Sequence, residues 1–380
     1  MHMYLDVVGS CNLQCPSCPV GNSENNNSKK AMTTDLLEKI VAKARTEGIE
    51  TIYLFNWTEP LLHPKIGQFI ETIQNAGMSA GISSNLNLKK NIESAIKANP
   101  SFFRISVSGF SQSGYELGHA GGDIEKVKEN MLYLSERKAS LGVRTAIEVY
   151  YHRYLDNTDE EARMKAFSES LGFNFLSAFA TMMPLEKTLD VAEENLSKLT
   201  QKDLDIMKRL ALPPDEKVLN IAKSYGISSC RLRDGMMVLD CEANVILCCS
   251  VFEQRRNAVG NYLDLPITEL QAAKNSSPAC RSLCKRCITN GLNVYAQYQN
   301  TGPLLNHALE QSLAYHYKRL APESKADSIT IQLNSDTAEF NESGYLNANP
   351  DVALAVKNGF MQSGYQHYIR YGKAENRPLA

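Results

Sequence analysis

The sequence predicts an α/β fold on a parallel sheet, either an open barrel or a doubly wound sheet. Two observations carry this expectation. Within the first 180 residues six short apolar runs alternate with five stretches of helical periodicity. A helix between consecutive strands implies parallel pairing with right-handed crossovers. The chain has 380 residues, 43% of them hydrophobic and 22% charged. That is enough for a large core and for more than one domain.

The elements follow in order. "MYLDVV" is an apolar strand at the start of the chain. "TTDLLEKIVAKARTEG" predicts a helix with Thr34–Asp35 as its N-cap, Leu36, Leu37, Ile40, Val41 and Ala44 at helical spacing, and Gly48 at its end. "IETIYLF" is a strand, and "KIGQFIETIQNAG" a helix closing on Gly77. "MSAGISSN" and "LKKNIESAIKAN" repeat the unit, as do "FFRISVSG" and the long helix "DIEKVKENMLYLSERKASLG". "VRTAIEVYYHR", "DEEARMKAFSESLG" and "FNFLSAFATMM" complete the series. Residues 190–226 read as charged helices without special chemistry.

Formal net charge is −2, so bulk charge suggests no nucleic-acid partner. No apolar run approaches the roughly 18 residues of a membrane span. The N-terminal stretch reads as a strand rather than an export signal, and a cytoplasmic location is expected. Ten cysteines then need another explanation than a disulfide framework. Three lie at Cys11, Cys15 and Cys18, and the other seven between Cys230 and Cys287. Two such groups in a reducing compartment read as two metal sites.

The first group has the spacing C-x3-C-x2-C and directly follows the first strand. Ligands of such folds sit at the C-terminal ends of the strands. A four-iron cluster normally takes four thiolates. Three would leave one position open, as catalytic zinc sites do. Zinc with a distant fourth ligand is the competing reading.

This placement resembles the radical S-adenosylmethionine (radical SAM) superfamily. The resemblance implies a partial (β/α)6 barrel and a [4Fe–4S] cluster whose open iron is chelated by S-adenosylmethionine (SAM). It also implies a flavodoxin- or ferredoxin-like electron donor and a 5′-deoxyadenosyl radical that abstracts a substrate hydrogen. "LFNWTEPLLHP" resembles the family's Gly-Gly-Glu-Pro segment, with Asn56-Trp57-Thr58-Glu59-Pro60 in its place, the glycines absent, and Glu59 facing the SAM ammonium. "SSNLN" offers Ser84 and Asn85 near the ribose, and "SVSGF" offers Ser108. "YYHRY" offers His152 and Arg153 to the SAM carboxylate or the substrate.

The second cysteine region resembles the SPASM and twitch enzymes, which carry an auxiliary cluster. The single-cluster twitch form fits, since no cysteine follows Cys287. The resemblance implies Cys230, Cys248, Cys284 and Cys287 as ligands of an auxiliary [4Fe–4S] cluster, with Ala243 at a usual glycine. Cys249 and Cys280 are alternative ligands, and zinc an alternative metal. Otherwise Cys241, Cys249 and Cys280 are free. A free thiol near the substrate can donate a hydrogen atom, and Cys249 is the catalytic candidate because it adjoins a ligand. The plain reading of a free cysteine is a buried small hydrophobe.

The expected domains are a barrel over 1–190, a helical connection over 191–228 and a twitch-like region with its following helix over 229–322. A linker over 323–337 and a small helical module over 338–380 follow. In the module Asn349 and Pro350 signal a helix start with Asp351 near the dipole, then Val352, Leu354, Ala355 and Val356 as an apolar face. A second helix carries Tyr365, Tyr368, Ile369 and Tyr371. It resembles a module appended to some bacterial glycosyltransferases. The expected function is radical oxidation or epimerisation of a carbohydrate-like small molecule or nucleotide sugar. The alternatives are radical modification of a peptide or protein side chain and a non-catalytic Fe–S or partner-binding scaffold.

Overall fold

Six parallel strands make the first part of the sheet. The computed structural model describes residues 1–22, 30–252, 257–296, 340–357, 363–368 and 377–379. The strands are β1 (His2–Leu5), β2 (Thr51–Tyr53), β3 (Ser79–Ser84), β4 (Phe102–Val107), β5 (Ala146–Arg153) and β6 (Asn174–Phe179), each paired in parallel with the next. The crossovers carry α1 (Thr34–Thr46), α2 (Ile66–Asn75), α3 (Ile92–Lys97), α4 (Gln112–Glu116) with α5 (Ile124–Leu141), and α6 (Glu161–Ser170). The N-cap of α1 is Thr33, one residue before the expected position, because its hydroxyl accepts from Leu36 N. Asp123 caps α5 on Glu125 N and Lys126 N, and Gly142 closes it at φ 63°.

Side-chain alternation divides the sheet into two faces. Met3, Leu5, Ile52, Leu54, Ala80, Ile82, Phe103, Ile105, Val107, Ile147 and Val149 are buried in one core with Leu37, Ile40, Phe69, Ile70, Ile96 and Met131 of the helices. The opposite face carries Tyr4, Tyr53, Arg104, Glu148 and Tyr150, all half-buried. Strand register sets these residues side by side: Tyr4 on Tyr53, Tyr53 on Gly81, Arg104 on Glu148. Gly81 is needed for close approach, since a Cβ there would lie 2.5 Å from the Tyr53 ring.

The cysteine-rich region extends this sheet. β7 (Met236–Leu239) pairs in parallel with β1, and β8 (Asn244–Ile246) and β9 (Ala258–Asn261) follow antiparallel. The nine strands are ordered β6-β5-β4-β3-β2-β1-β7-β8-β9. One sheet therefore crosses the boundary expected before residue 229. Residues 1–297 form one unit and 298–380 another. Ala243, at the turn between β7 and β8, has φ 66°, a conformation that favours glycine. Asp240 holds that turn by accepting from Glu242 N and Asn244 N at 2.9 Å each.

In the second unit the described helices are Glu342–Ala348, Pro350–Lys357 and Gly364–His367. Asn349 precedes Pro350 as expected, but it also ends the helix before it, which the sequence reading did not contain. Its side chain donates to Tyr345 O and Pro378 O. Phe340, Tyr345, Tyr365 and Tyr368 pack as an aromatic cluster. Ile369, Tyr371 and the expected linker over 323–337 lie outside the described residues, as does the chain from 297 to 322. Among the described residues no helix is long and apolar enough to cross a membrane.

Candidate active site

The cysteine loop leaves β1 and folds back on itself. Cys18 N donates to Cys15 O at 3.1 Å, and Asn22 N to Cys18 O at 2.9 Å. Gln14 N donates to Ala120 O at 2.9 Å, and Ser17 and Tyr154 share a hydroxyl bond of 3.0 Å. Gly21 passes so near Cys15 that a Cβ there would lie 2.4 Å from Cys15 N.

Burial first, then charge, makes these thiols costly to ionise without a cation. Cys11 is pushed up to about 12 by burial and then by Glu59 and Cys18. Cys15 is raised well above its usual value by burial, then by Cys18 and Cys11. Cys18 is raised by burial as well. Among the described residues no three Cys, His, Asp or Glu side chains close round a point as one metal ion would require. A four-iron cluster needs a wider cradle, with a thiolate on each of three irons. Three half-buried thiols in electrostatic reach of one another fit that group, because its irons would compensate their charge.

Beside this loop the ends of β2 and β3 meet. Glu59 is 3% exposed; its Oε1 accepts from Leu61 N at 3.0 Å and its Oε2 from Asn85 N at 2.9 Å. Burial pushes this carboxyl up to about 7 against those bonds. The Asn85 amide donates to Cys11 Sγ at 3.6 Å and to Asn12 Oδ1 at 3.0 Å. Ser84 Oγ accepts from Leu86 N at 2.9 Å. Leu86 is held at φ 53°, unusual for a bulky residue, with Asn130 Nδ2 donating to its carbonyl at 2.8 Å. So Cys11, Glu59, Ser84 and Asn85 come together.

Three other expected residues have partners of their own. Ser108 is fully buried, 2.6 Å from His119 Nδ1 and 3.2 Å from Tyr115 O. Arg153 is paired with Glu161 at 2.6 Å and lies over the Phe179 ring. His152 sits near Tyr150 and His119, with ring centroids 5.0 and 5.9 Å away. Burial, then the Arg104 charge, lowers His152 to about 4, so it is neutral at pH 7.

Residues 6–162 match the sequence profile of the Radical SAM superfamily. They form a radical SAM domain. Domains of this family bind a [4Fe–4S] cluster and SAM. Over 158 residues the chain is 28% identical to the tungsten-containing aldehyde ferredoxin oxidoreductase cofactor-modifying protein of Pyrococcus furiosus. That match covers 38% of this chain and 43% of the relative, so the chain spans under half of that protein's length. The fold is similar to that of Streptococcus suis SuiB solved with the precursor peptide SuiA, with TM-score 0.50 and 14% identity. The match covers 74% of this chain and 66% of SuiB, just under two thirds. A second similar structure, anSMEcpe with bound AdoMet, has TM-score 0.48 and 16% identity over 84% of this chain and 97% of that one. With the profile match over 6–162, the six parallel strands are consistent with the partial barrel of a radical SAM fold.

The second cysteine region lies beyond the radical SAM domain. Cys248 is raised by burial, then by Cys249, Cys230 and Cys287. Cys284 is pushed up to about 12 by burial, then by Cys280 and Cys230. Cys287 is raised by burial, then by Cys230 and Cys284. Cys230 is thus common to the group. Cys280 sits on a π-helical turn, Cys280–Cys284, and accepts from Arg233 Nη1 at 3.6 Å. Cys241 is raised to about 11 by burial and then by Asp240, Glu242 and Asp6. Cys249 is within electrostatic reach of Tyr4, whose phenol is pushed up to about 12 by burial, then by Tyr53 and Cys249.

Sequence reasoning missed several residues here. Lys274, wholly buried, donates to Arg233 O at 2.5 Å and Met236 O at 2.8 Å. Burial lowers it to about 8 against the pull of Cys248 and Asp234. Nothing in "ITELQAAKNS" marks that lysine from its neighbours. Asp6 had a signal: a carboxylate inside the apolar run "MYLDVV" asks for a buried partner.

Proposed function

We propose that this chain is a radical SAM enzyme that oxidises or epimerises a carbohydrate-like small molecule or nucleotide sugar. Cys11, Cys15 and Cys18 hold the cluster, and SAM lies along residues 56–59 and Ser84–Asn85. The observation that carries the reading is the meeting of Asn85 with both Cys11 Sγ (3.6 Å) and Glu59 (2.9 Å) at the mouth of the barrel. It joins the thiol loop to the carboxylate that the family resemblance assigns to the SAM ammonium. Once bound, the cluster and SAM supply 5′-deoxyadenosyl radical chemistry, fed by a flavodoxin- or ferredoxin-like donor.

The sheet face opposite the core supplies the substrate wall. Tyr53 stacks on Tyr4 at 4.9 Å and meets Phe55 and Phe102 edge-on at 5.7 and 6.5 Å. Arg104 lies over the Tyr150 ring at 4.4 Å and bonds Glu148 at 3.0 Å. Flat ring faces beside a donor and an acceptor suit a hydroxylated ring. Cys230, Cys248, Cys284 and Cys287 hold an auxiliary cluster, supported by the mutual influence of their thiols. Cys249, in reach of Tyr4, donates the hydrogen atom if the product is an epimer.

The test is turnover by reconstituted protein with SAM and reductant in deuterated water, offering nucleotide sugars and peptides in parallel. The expected result is 5′-deoxyadenosine and a modified sugar. Solvent deuterium in that product, lost in Cys249→Ala, marks epimerisation through Cys249. A deuterium-free product two electrons more oxidised marks oxidation. Modified peptide with untouched sugars would overturn the substrate, and no 5′-deoxyadenosine at all would leave the scaffold reading.

A further inference from the structure

Asp6 follows β1 and is 2% exposed. Its Oδ1 accepts from Asn56 N at 3.2 Å, Trp57 N at 2.9 Å, Thr58 N at 3.0 Å and the Thr58 hydroxyl at 2.7 Å. Its Oδ2 is buried without a hydrogen-bond partner. Asp6 N is itself fixed, donating to Leu239 O of β7 at 3.0 Å. One carboxylate therefore gathers three consecutive peptide N–H groups of the loop that leads to Glu59.

Gathering the N–H groups turns the peptides of the loop. The Trp57 carbonyl faces the cysteine loop, 3.9 Å from Cys18 Sγ. The loop is held from its other side as well. Trp57 Nε1 donates to Val251 O at 3.2 Å, and the indole meets the Phe252 ring edge-on at 6.1 Å. Glycines at these positions would reach many backbone conformations and need no such clamp. Asn56, Trp57 and Thr58 are more restricted, and an external carboxylate selects one conformation for them.

We propose that Asp6 is a positioning residue for SAM: it orders the Asn56–Thr58 backbone so that its carbonyl edge faces the cysteine loop as an acceptor for the SAM ammonium. Trp57 clamps the same loop to the segment just after Cys249. The proposal rests on the reading that SAM lies along residues 56–59. Asp6 touches neither SAM nor cluster and acts through the loop.

The test uses the full chain, reconstituted without oxygen. SAM affinity is measured by equilibrium dialysis, and the reduced cluster by electron paramagnetic resonance (EPR) with and without SAM. Asp6→Asn keeps an acceptor oxygen in place and should bind SAM within about threefold of the native protein, less than one hydrogen bond's worth. Asp6→Ala should keep its iron, bind SAM about tenfold or more weakly because the acceptor of all four loop bonds is gone, and lose the SAM-induced EPR change. Native affinity with the native EPR change in Asp6→Ala would overturn the proposal. Should Asp6→Ala not fold, Thr58→Val decides, because it removes only the 2.7 Å hydroxyl bond. An affinity loss of about two- to tenfold is expected there, and unchanged affinity overturns the proposal. If the native protein itself shows no response to SAM, the SAM reading and this proposal both fall.

Discussion

Replacing Gly21 by alanine would add one methyl group where the cysteine loop closes on itself. The new Cβ would lie 2.4 Å from Cys15 N and 2.7 Å from both Cys15 O and Gln14 C. Non-bonded heavy atoms settle at about 3.5–4.0 Å, so the two segments must part by about 1 Å. Every neighbour named is backbone, and no flexible side chain can yield instead. Metal–thiolate distances tolerate only about 0.2 Å. Overpacking of this size costs about 1–3 kcal/mol, which a fold of this size survives. The expected outcome is therefore selective. The variant folds but loses the cluster of Cys11, Cys15 and Cys18, and with it SAM cleavage. Iron and sulfide per chain should fall from about eight to about four if both proposed clusters are present. A Cys11→Ala, Cys15→Ala, Cys18→Ala triple variant supplies the reference for loss of that cluster alone. Full iron and native 5′-deoxyadenosine formation in Gly21→Ala would refute the reasoning. A triple variant holding one zinc and no iron would make the second site a zinc site.

Glu59→Ala should weaken SAM binding about tenfold or more, the worth of a charge-assisted bond of about 1.5–3 kcal/mol, while iron is retained. Unchanged affinity in equilibrium dialysis would show that this carboxylate only braces Leu61 N and Asn85 N. Asp203 governs acid stability near the same loop. It is 3% exposed and accepts from Lys187 Nζ, Asn22 Nδ2 and the Thr200 N–H and hydroxyl. Burial alone would raise this carboxyl, but Lys187 and the Thr200 donors together hold it below the usual carboxylate value. A depressed pKa stabilises the fold above the unfolded value and is lost as pH falls through the folded one. Asp203→Asn should lower thermal stability at pH 7 by about 1–3 kcal/mol and flatten the pH dependence below about pH 4. Parallel melting curves for both proteins from pH 7 to 3 would contradict this.

The sequence by itself determined what depends on near neighbours along the chain. Apolar spacing in "TTDLLEKIVAKARTEG" and alternation in "FFRISVSG" depend on local geometry, so α1 and β4 were legible from it. The C-x3-C-x2-C spacing and its place after β1 were legible for the same reason. The family resemblance also marked Ala243 as a usual glycine position, and the backbone there takes up φ 66°. Tertiary structure alone decided which distant groups meet. Asp6 reaches Thr58 across 52 residues, Asn85 reaches Cys11 across 74, and Trp57 reaches Val251 across 194. None of these separations leaves a local pattern, because each depends on strand order and register. The same holds for the join of β7 to β1, which makes the cysteine-rich region part of the barrel's own sheet. Ser108 shows the converse. Its position after β4 was readable, but packing against His119 sets which way its hydroxyl points. Periodicity reports which face a residue takes, and only the packed fold reports what stands opposite it.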